Sequence, residues 1–232
     1  MKDTDFYVQI LGLKEPWSVE WVKLDTEDKK VSVRLKYKEC TVWVCPKTQE
    51  HTPGYDHVER KWRHLDTCGF ETTLECALPR VRGTDGKFVQ IPVPWAELGS
   101  RFTALFERFA VSVIESSKSL SSACKLTKLS WDQLQRIMER AVARGLERRS
   151  LEEVRKIGID EKSFAKGQSY MTLVYDIDKA RVLEVVDGAN QERAELALDL
   201  LGEDFCKQIE AACIDMSKAF EAAINTRLPN AE

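Results

Sequence analysis

Two short apolar runs that each end on an acid constrain this chain more than any other feature. They are Lys156-Ile157-Gly158-Ile159-Asp160-Glu161 and Ala211-Ala212-Cys213-Ile214-Asp215. Each reads as a short buried strand that stops at a carboxylate. Between them lie two strand-like runs, Met171 to Asp176 and Arg181 to Val186, and a helical run from Gln191 to Gly202. The predicted order is therefore strand, hairpin, strand, helix, strand.

RNase H-like domains begin in that order. In that fold the first and fourth strands are parallel neighbours, so Asp160 and Asp215 would reach one end of the sheet, where ligands of open α/β sheets sit. Two carboxylates there suit Mg²⁺, a hard cation that prefers oxygen. A metal pair held ~4 Å apart can drive in-line attack on a phosphodiester. The plainer alternative is a strand followed by an aspartate helix cap.

The chain has 232 residues, with 43% hydrophobic and 31% charged residues, which suits a globular protein of one to three domains. No apolar run approaches the ~20 residues of a membrane span. The N-terminal stretch carries acids and lacks a cleavage-site pattern, which argues against a secretory leader. Seven cysteines without framework spacing favour a reducing cytoplasm. The net charge is −3, yet Lys118 to Lys156 holds ten Lys/Arg against five Asp/Glu. A polyanion site is expected in that segment.

The first hundred residues read as a β-rich module. Phe6 to Leu13, Val31 to Tyr37 and Gln90 to Val93 are its strand-like runs. Cys40 and Cys45 enclose four residues, and His64, Cys68 and Cys76 are candidates for the rest of a zinc site. The alternative is small buried thiols and a surface histidine. Arg60-Lys61-Trp62-Arg63-His64 interleaves cations with an indole. Arg60 and Arg63 could hold phosphate while Trp62 stacks on a base. Equally, the stretch could be a strand with one buried Trp and a basic outer face.

Beyond Pro92-Val93-Pro94-Trp95 the period changes to 3.6, with Phe102, Leu105, Phe106, Phe109, Val113 and Ile114 on one stripe. Serines at 116, 117 and 119 break that helix. A short helix follows over Leu120 to Leu126, and Ser130 caps a long helix reaching about Arg149. Its buried side is Leu134, Ile137, Met138, Ala141, Val142 and Leu146. Arg136, Arg140, Arg144 and Arg148 recur every four residues and form a basic stripe. With Lys125 and Lys128 just before it, the arrangement fits a helix-turn-helix whose last helix enters the DNA major groove. A solvated face is the competing explanation, because Glu139 and Glu147 lie in or beside the stripe.

Several stretches together resemble one family, the bacterial insertion-sequence transposases of the IS-L-three group. They are RKWRHLDTCGFETTLECALPRVR, IPVPWAELGSRFTALFERFA, LSWDQLQRIMERAVARGL, KIGIDEKSFAKGQSYMTLVYD and CIDMSKAFEAAINTRLPNAE, and the likeness runs collinearly from Cys40 to Glu232. The resemblance implies a multidomain α+β chain. Residues 1–95 would form a zinc-finger-like module, 96–150 a helix-turn-helix bundle, and 151–232 the first part of a truncated RNase H-like α/β domain. It implies Asp160 and Asp215 as the first two acids of a DDE triad holding Mg²⁺, and a zinc-finger-like module for which Cys40, Cys45, His64 and Cys68 are the candidate Zn²⁺ ligands. The third acid has no counterpart, and Glu232 stands too close to Asp215. In the family, Pro-Arg-Val-Arg is commonly followed by a Cys-containing knuckle, whereas here Gly83-Thr84-Asp85-Gly86 follows. A module held by packing without metal is therefore an alternative. The expected function is binding of double-stranded transposon ends, with metal-dependent strand cleavage and transfer in a full-length enzyme. A homo-oligomer in the cytoplasm, at the nucleoid, fits that role. The rival is a DNA-binding remnant without catalysis.

Overall fold

The computed structural model describes residues 2–83, 86–165 and 169–231. Thr84, Asp85 and Glu232, singled out above, lie outside the described residues. The chain forms two compact units, Met1–Gly145 and Leu146–Glu232. Residues 1–95 and 96–145 fall in one unit, and residues 146–150 of the second expected segment fall in the other.

The first unit starts with helix α1 (Asp3–Ile10), followed by strands β1 (Trp17–Asp25), β2 (Lys30–Tyr37), β3 (Val42–Val44), β4 (His51–Pro53), β5 (Asp56–Arg63), β6 (Glu71–Arg82) and β7 (Phe88–Gln90). The strand-like reading of Phe6 to Leu13 is corrected here. Asp3 and Asp5 stand in the first turn, where the helix dipole favours acids, and the Asp5 carboxylate accepts the Lys2 amide at 3.2 Å. Tyr7 is the buried residue of that helix, and its hydroxyl bonds Thr67 at 2.9 Å.

The main sheet has the order β1-β2-β6-β5, with β7 on the far part of β6. β2 and β6 are parallel, and the other pairs in this sheet are antiparallel. Val31, Val33 and Leu35 of β2 and Leu74, Cys76 and Leu78 of β6 alternate into one core. A separate hairpin, β3 with β4, reaches that core through Trp43.

Three helices follow, α2 (Ala104–Ser116), α3 (Leu120–Thr127) and α4 (Trp131–Glu147). Thr103 caps α2 and Ser119 caps α3. Ser130 and Gln133 bond reciprocally at the start of α4, a capping box. The helical core is Phe102, Phe106, Ala110, Ala123, Leu134 and Ile137. Leu105, Phe109, Val142 and Leu146, expected on buried stripes, are exposed.

The second unit is a four-stranded sheet with helices. Its elements are β8 (Lys156–Ala165), β9 (Ser169–Asp176), β10 (Arg181–Asp187), α5 (Gln191–Leu201), α6 (Glu203–Gln208), β11 (Ala211–Ile214) and α7 (Lys218–Arg227). The strand order is β10-β9-β8-β11. Ile157, Ile159, Val174 and Leu183 pack with Ala194, Ala197 and Leu198 of α5 and with Phe220 and Ala223 of α7. Gly158 is required by its neighbour: a Cβ there would lie 2.0 Å from the Tyr175 ring.

Candidate metal centre and nucleic-acid interface

β8 and β11 pair in parallel, with Ile157 opposite Ala212 and Ile159 opposite Ile214. Asp160 and Asp215 each stand one residue beyond that last couple. Asp160 lies within β8, so strand alternation turns it from the face that Ile159 gives to the core, and Asp215 is the residue after β11. Neighbouring strands lie about 4.8 Å apart, so the two aspartates follow the same end of adjacent parallel strands. Both are exposed. One oxygen of Asp160 accepts the Glu161 amide at 2.8 Å, and one oxygen of Asp215 accepts the Ser217 amide at 3.0 Å. Each second oxygen keeps its capacity for a ligand.

The donor set therefore fits a hard divalent cation, which takes carboxylate oxygens and keeps several waters. Among the described residues no third His, Cys, Asp or Glu gathers with the pair. Glu161, next to Asp160, alternates to the opposite side of β8.

The zinc candidates are not brought together. Among the described residues no three potential ligands meet. Cys40 and Cys68 are exposed residues with left-handed backbone, φ 58° and 52°. Cys76 lies fully buried in β6, and burial pushes its thiol up to about 12. His64 is 2% exposed and shares a 2.9 Å hydrogen bond with the Thr103 hydroxyl. Burial, with the Arg63 charge beside it, lowers its pKa to about 4, so it stays neutral. Cys45 is buried at the turn Cys45-Pro46-Lys47-Thr48. The Thr48 hydroxyl, then the Thr48 and Lys47 amides, lower its pKa.

The cations divide into two sets. Glu107 of α2 is 2% exposed. It accepts Arg140 Nε at 3.0 Å and Nη2 at 2.6 Å, Arg144 Nη1 at 3.1 Å and the Ser100 hydroxyl at 2.7 Å. Arg144 also bonds Glu97. These two arginines of the stripe fasten α4 to α2. The i, i+4 spacing identified their shared face but gave no sign of the buried acid opposite. Arg63 is likewise engaged: it bonds Asp66 and the His64 carbonyl, and its guanidinium lies 5.0 Å from the Phe106 ring centre. Arg60 bonds Gln90 at 3.1 Å on the outer face of β5, while Trp62 is buried in the core.

Arg136 is exposed on α4 and makes no ion pair with a described residue. Arg148 is exposed at the residue after α4. Lys125 and Lys128 are exposed at the end of α3, with Lys128 4.0 Å from Asp66. Lys128 takes the left-handed conformation, φ 57°, that closes α3 and starts the three-residue turn into α4. Trp131, at the first turn of α4, is 55% exposed. The turn joins two helices in the manner of a DNA-binding helix-turn-helix.

Three collinear segments match known families. Residues 41–82 match the zinc-finger of transposase IS204/IS1001/IS1096/IS1165. Residues 91–142 match the helix-turn-helix domain of transposase family ISL3, and residues 157–232 match a transposase family. Over its whole length the chain is 27% identical to the transposase for insertion sequence element IS1557 of Mycobacterium tuberculosis, covering 53% of that protein. Over 53% of its length it is 24% identical to the transposase for insertion sequence element IS1001 of Bordetella parapertussis, covering 30% of it. The chain thus spans about half the length of the IS1557 relative, and less of the other.

Proposed function

This chain belongs to the ISL3 family of insertion-sequence transposases, and on that premise we propose that it binds the ends of its mobile element and presents Asp160 and Asp215 to the ion of strand cleavage. The observation that carries the catalytic half is the in-register parallel pairing of β8 with β11. It supports reading the second unit as the start of an RNase H-like domain. Asp160 and Asp215 would hold Mg²⁺, and their negative charge would fix it at the sheet end. Once bound, such an ion supplies Lewis-acid activation of the phosphodiester. The amide bonds from Glu161 and Ser217 orient one oxygen of each carboxylate and leave the other for the ion.

The DNA-binding half rests on α3, its turn and α4. Trp131 and Arg136 stand on the exposed start of α4, which is the part of a recognition helix that meets base edges. Lys125 and Lys128 flank it as phosphate contacts. Arg140 and Arg144 act from within the protein, holding α4 at its angle. No helix among the described residues is long and apolar enough to cross a membrane. A homo-oligomer acting on double-stranded DNA at the nucleoid suits this reading, as does a functional division near residue 95.

Manganese binding measured by electron paramagnetic resonance tests the ion site. Asp160→Asn and Asp215→Asn should each weaken binding more than ~10-fold, since each removes a charged ligand. Binding equal to the parent chain would refute the shared site. Retardation of terminal-repeat duplex against random duplex tests the DNA half, and equal affinity for both would refute end recognition.

A further inference from the structure

We infer that the hairpin β3–β4 is anchored to its unit by Trp43 in a cluster of aromatic rings rather than by a zinc ion. The matched zinc-finger segment predicts a structural metal, and a structural zinc site is closed by about four nitrogen or sulfur donors. The turn at Cys45 retains part of such a geometry. The Gln49 amide bonds the Cys45 carbonyl at 2.9 Å, and the Cys45 amide bonds the Glu50 carbonyl at 2.9 Å, which closes the turn. Yet the position two residues beyond Pro46, where a second thiolate would complete a Cys-x-x-Cys turn, is Thr48.

Among the described residues no group of three donors forms at it. The sequence that follows Pro-Arg-Val-Arg, residues 83–86, holds no Cys or His. Cys76 is buried as a neutral thiol in the middle of β6, and His64 is bonded to Thr103. His51 and His57 are exposed on β4 and β5, and no three ligands gather among the described residues.

The fastening that a metal would supply comes from packing. Trp43, 7% exposed, lies 5.3 Å from the Trp17 ring of β1 and 5.3 Å from the Tyr37 ring of β2. Trp17 meets Trp95 edge-on at 5.0 Å, and Trp95 meets Trp62 of β5 at 5.6 Å. The contacts run unbroken from the hairpin across the main sheet. Such offset and edge-to-face arrangements are the favourable ones for aromatic rings. Gly54, just after β4, sits against the same indole: a Cβ there would be 3.7 Å from Trp43 Nε1.

The test uses the full 232-residue chain expressed with zinc in the medium. Metal analysis should find far less than one zinc per chain, and a chelator should leave the melting temperature unchanged. Cys45→Ser should melt within about 2 °C of the parent, whereas Trp43→Ala should melt roughly 10 °C lower, the shift expected from deleting a buried indole in a chain of this size. Trp43→Phe should fall between them and, being well folded, should still cut faster with trypsin at Lys47. Stoichiometric zinc that Cys45→Ser abolishes, or Trp43 variants with unchanged melting and proteolysis, would overturn the inference. Neither result depends on whether the chain binds DNA or a catalytic ion.

Discussion

In the unit Met1–Gly145, His64 is bonded to Thr103, Arg63 lies against Phe106, and Arg140 and Arg144 close on Glu107. In the unit Leu146–Glu232, Asp160 and Asp215 accept, among the described residues, the amides of Glu161 and Ser217. All of these side chains looked functional in the sequence. The first group has its bonding capacity filled from within, and the second retains it. Spacing reports which residues share a face. It does not report whether an internal partner has already engaged them.

If that contrast is right, substitutions in the first group should damage stability and those in the second should damage binding. The largest effect is expected at Glu107. Glu107→Ala removes the buried acid that Arg140 and Arg144 share, while Arg144 keeps Glu97 and both guanidinium groups reach solvent, so the cost is about 3 kcal/mol, the low end for a broken buried pair. Urea unfolding would measure it. A loss under 1 kcal/mol would mean that the two arginines are free for DNA after all.

Acid should act through His64. Its folded pKa of about 4 lies below the ordinary 6.5, so the unfolded chain binds a proton first as pH falls. Its contribution to stability is complete above pH 6.5 and lost progressively towards pH 4, amounting to about 3 kcal/mol. His64→Gln should flatten that part of the stability curve. A curve of unchanged slope would show that the imidazole titrates normally.

A smaller loss, roughly 1–3 kcal/mol, is expected from Gly158→Ala, which forces the Tyr175 ring away from β8. Tyr175→Ala in the same chain should restore part of the stability, and manganese binding should follow the same loss and partial recovery. Failure of the second change to compensate would mean that the ring is not what excludes a side chain at residue 158.

The smallest effect separates two arginines on one helix. Arg136→Ala should lower the slope of log affinity against log salt by about 0.9, the value for one phosphate contact, with no change in melting. Arg140→Ala should lower melting while the slope for the folded protein stays constant. A reversal would exchange their roles and undo the comparison.

Much of the second unit was legible beforehand because its signals are local and consistent. The apolar runs, the hairpin and the helix between them all agree with one strand order. Ser130 and the serines at 116 to 119 were equally readable, since capping chemistry is confined to a few residues. Phe6 to Leu13 was misread because an apolar run of that length suits strand or helix alike, and Asp3 and Asp5 decide the matter from outside it. The zinc candidates were grouped by distance along the chain. Cys76 is held in the core by pairings of β6 with strands on both sides, which spacing cannot reveal.

The pairing of β8 with β11 also sets an order of events. Strands β8, β9 and β10 form a local meander, whereas β11 joins only after α5 and α6 have crossed back over the sheet. Non-local pairings of this kind are slow to close. During synthesis Asp160 is therefore in place before Asp215, and the two acids of the proposed ion site come to neighbouring strands when β11 pairs with β8. On the proposed reading, the ion site is assembled by the pairing of β11 with β8 and by no earlier step of the fold.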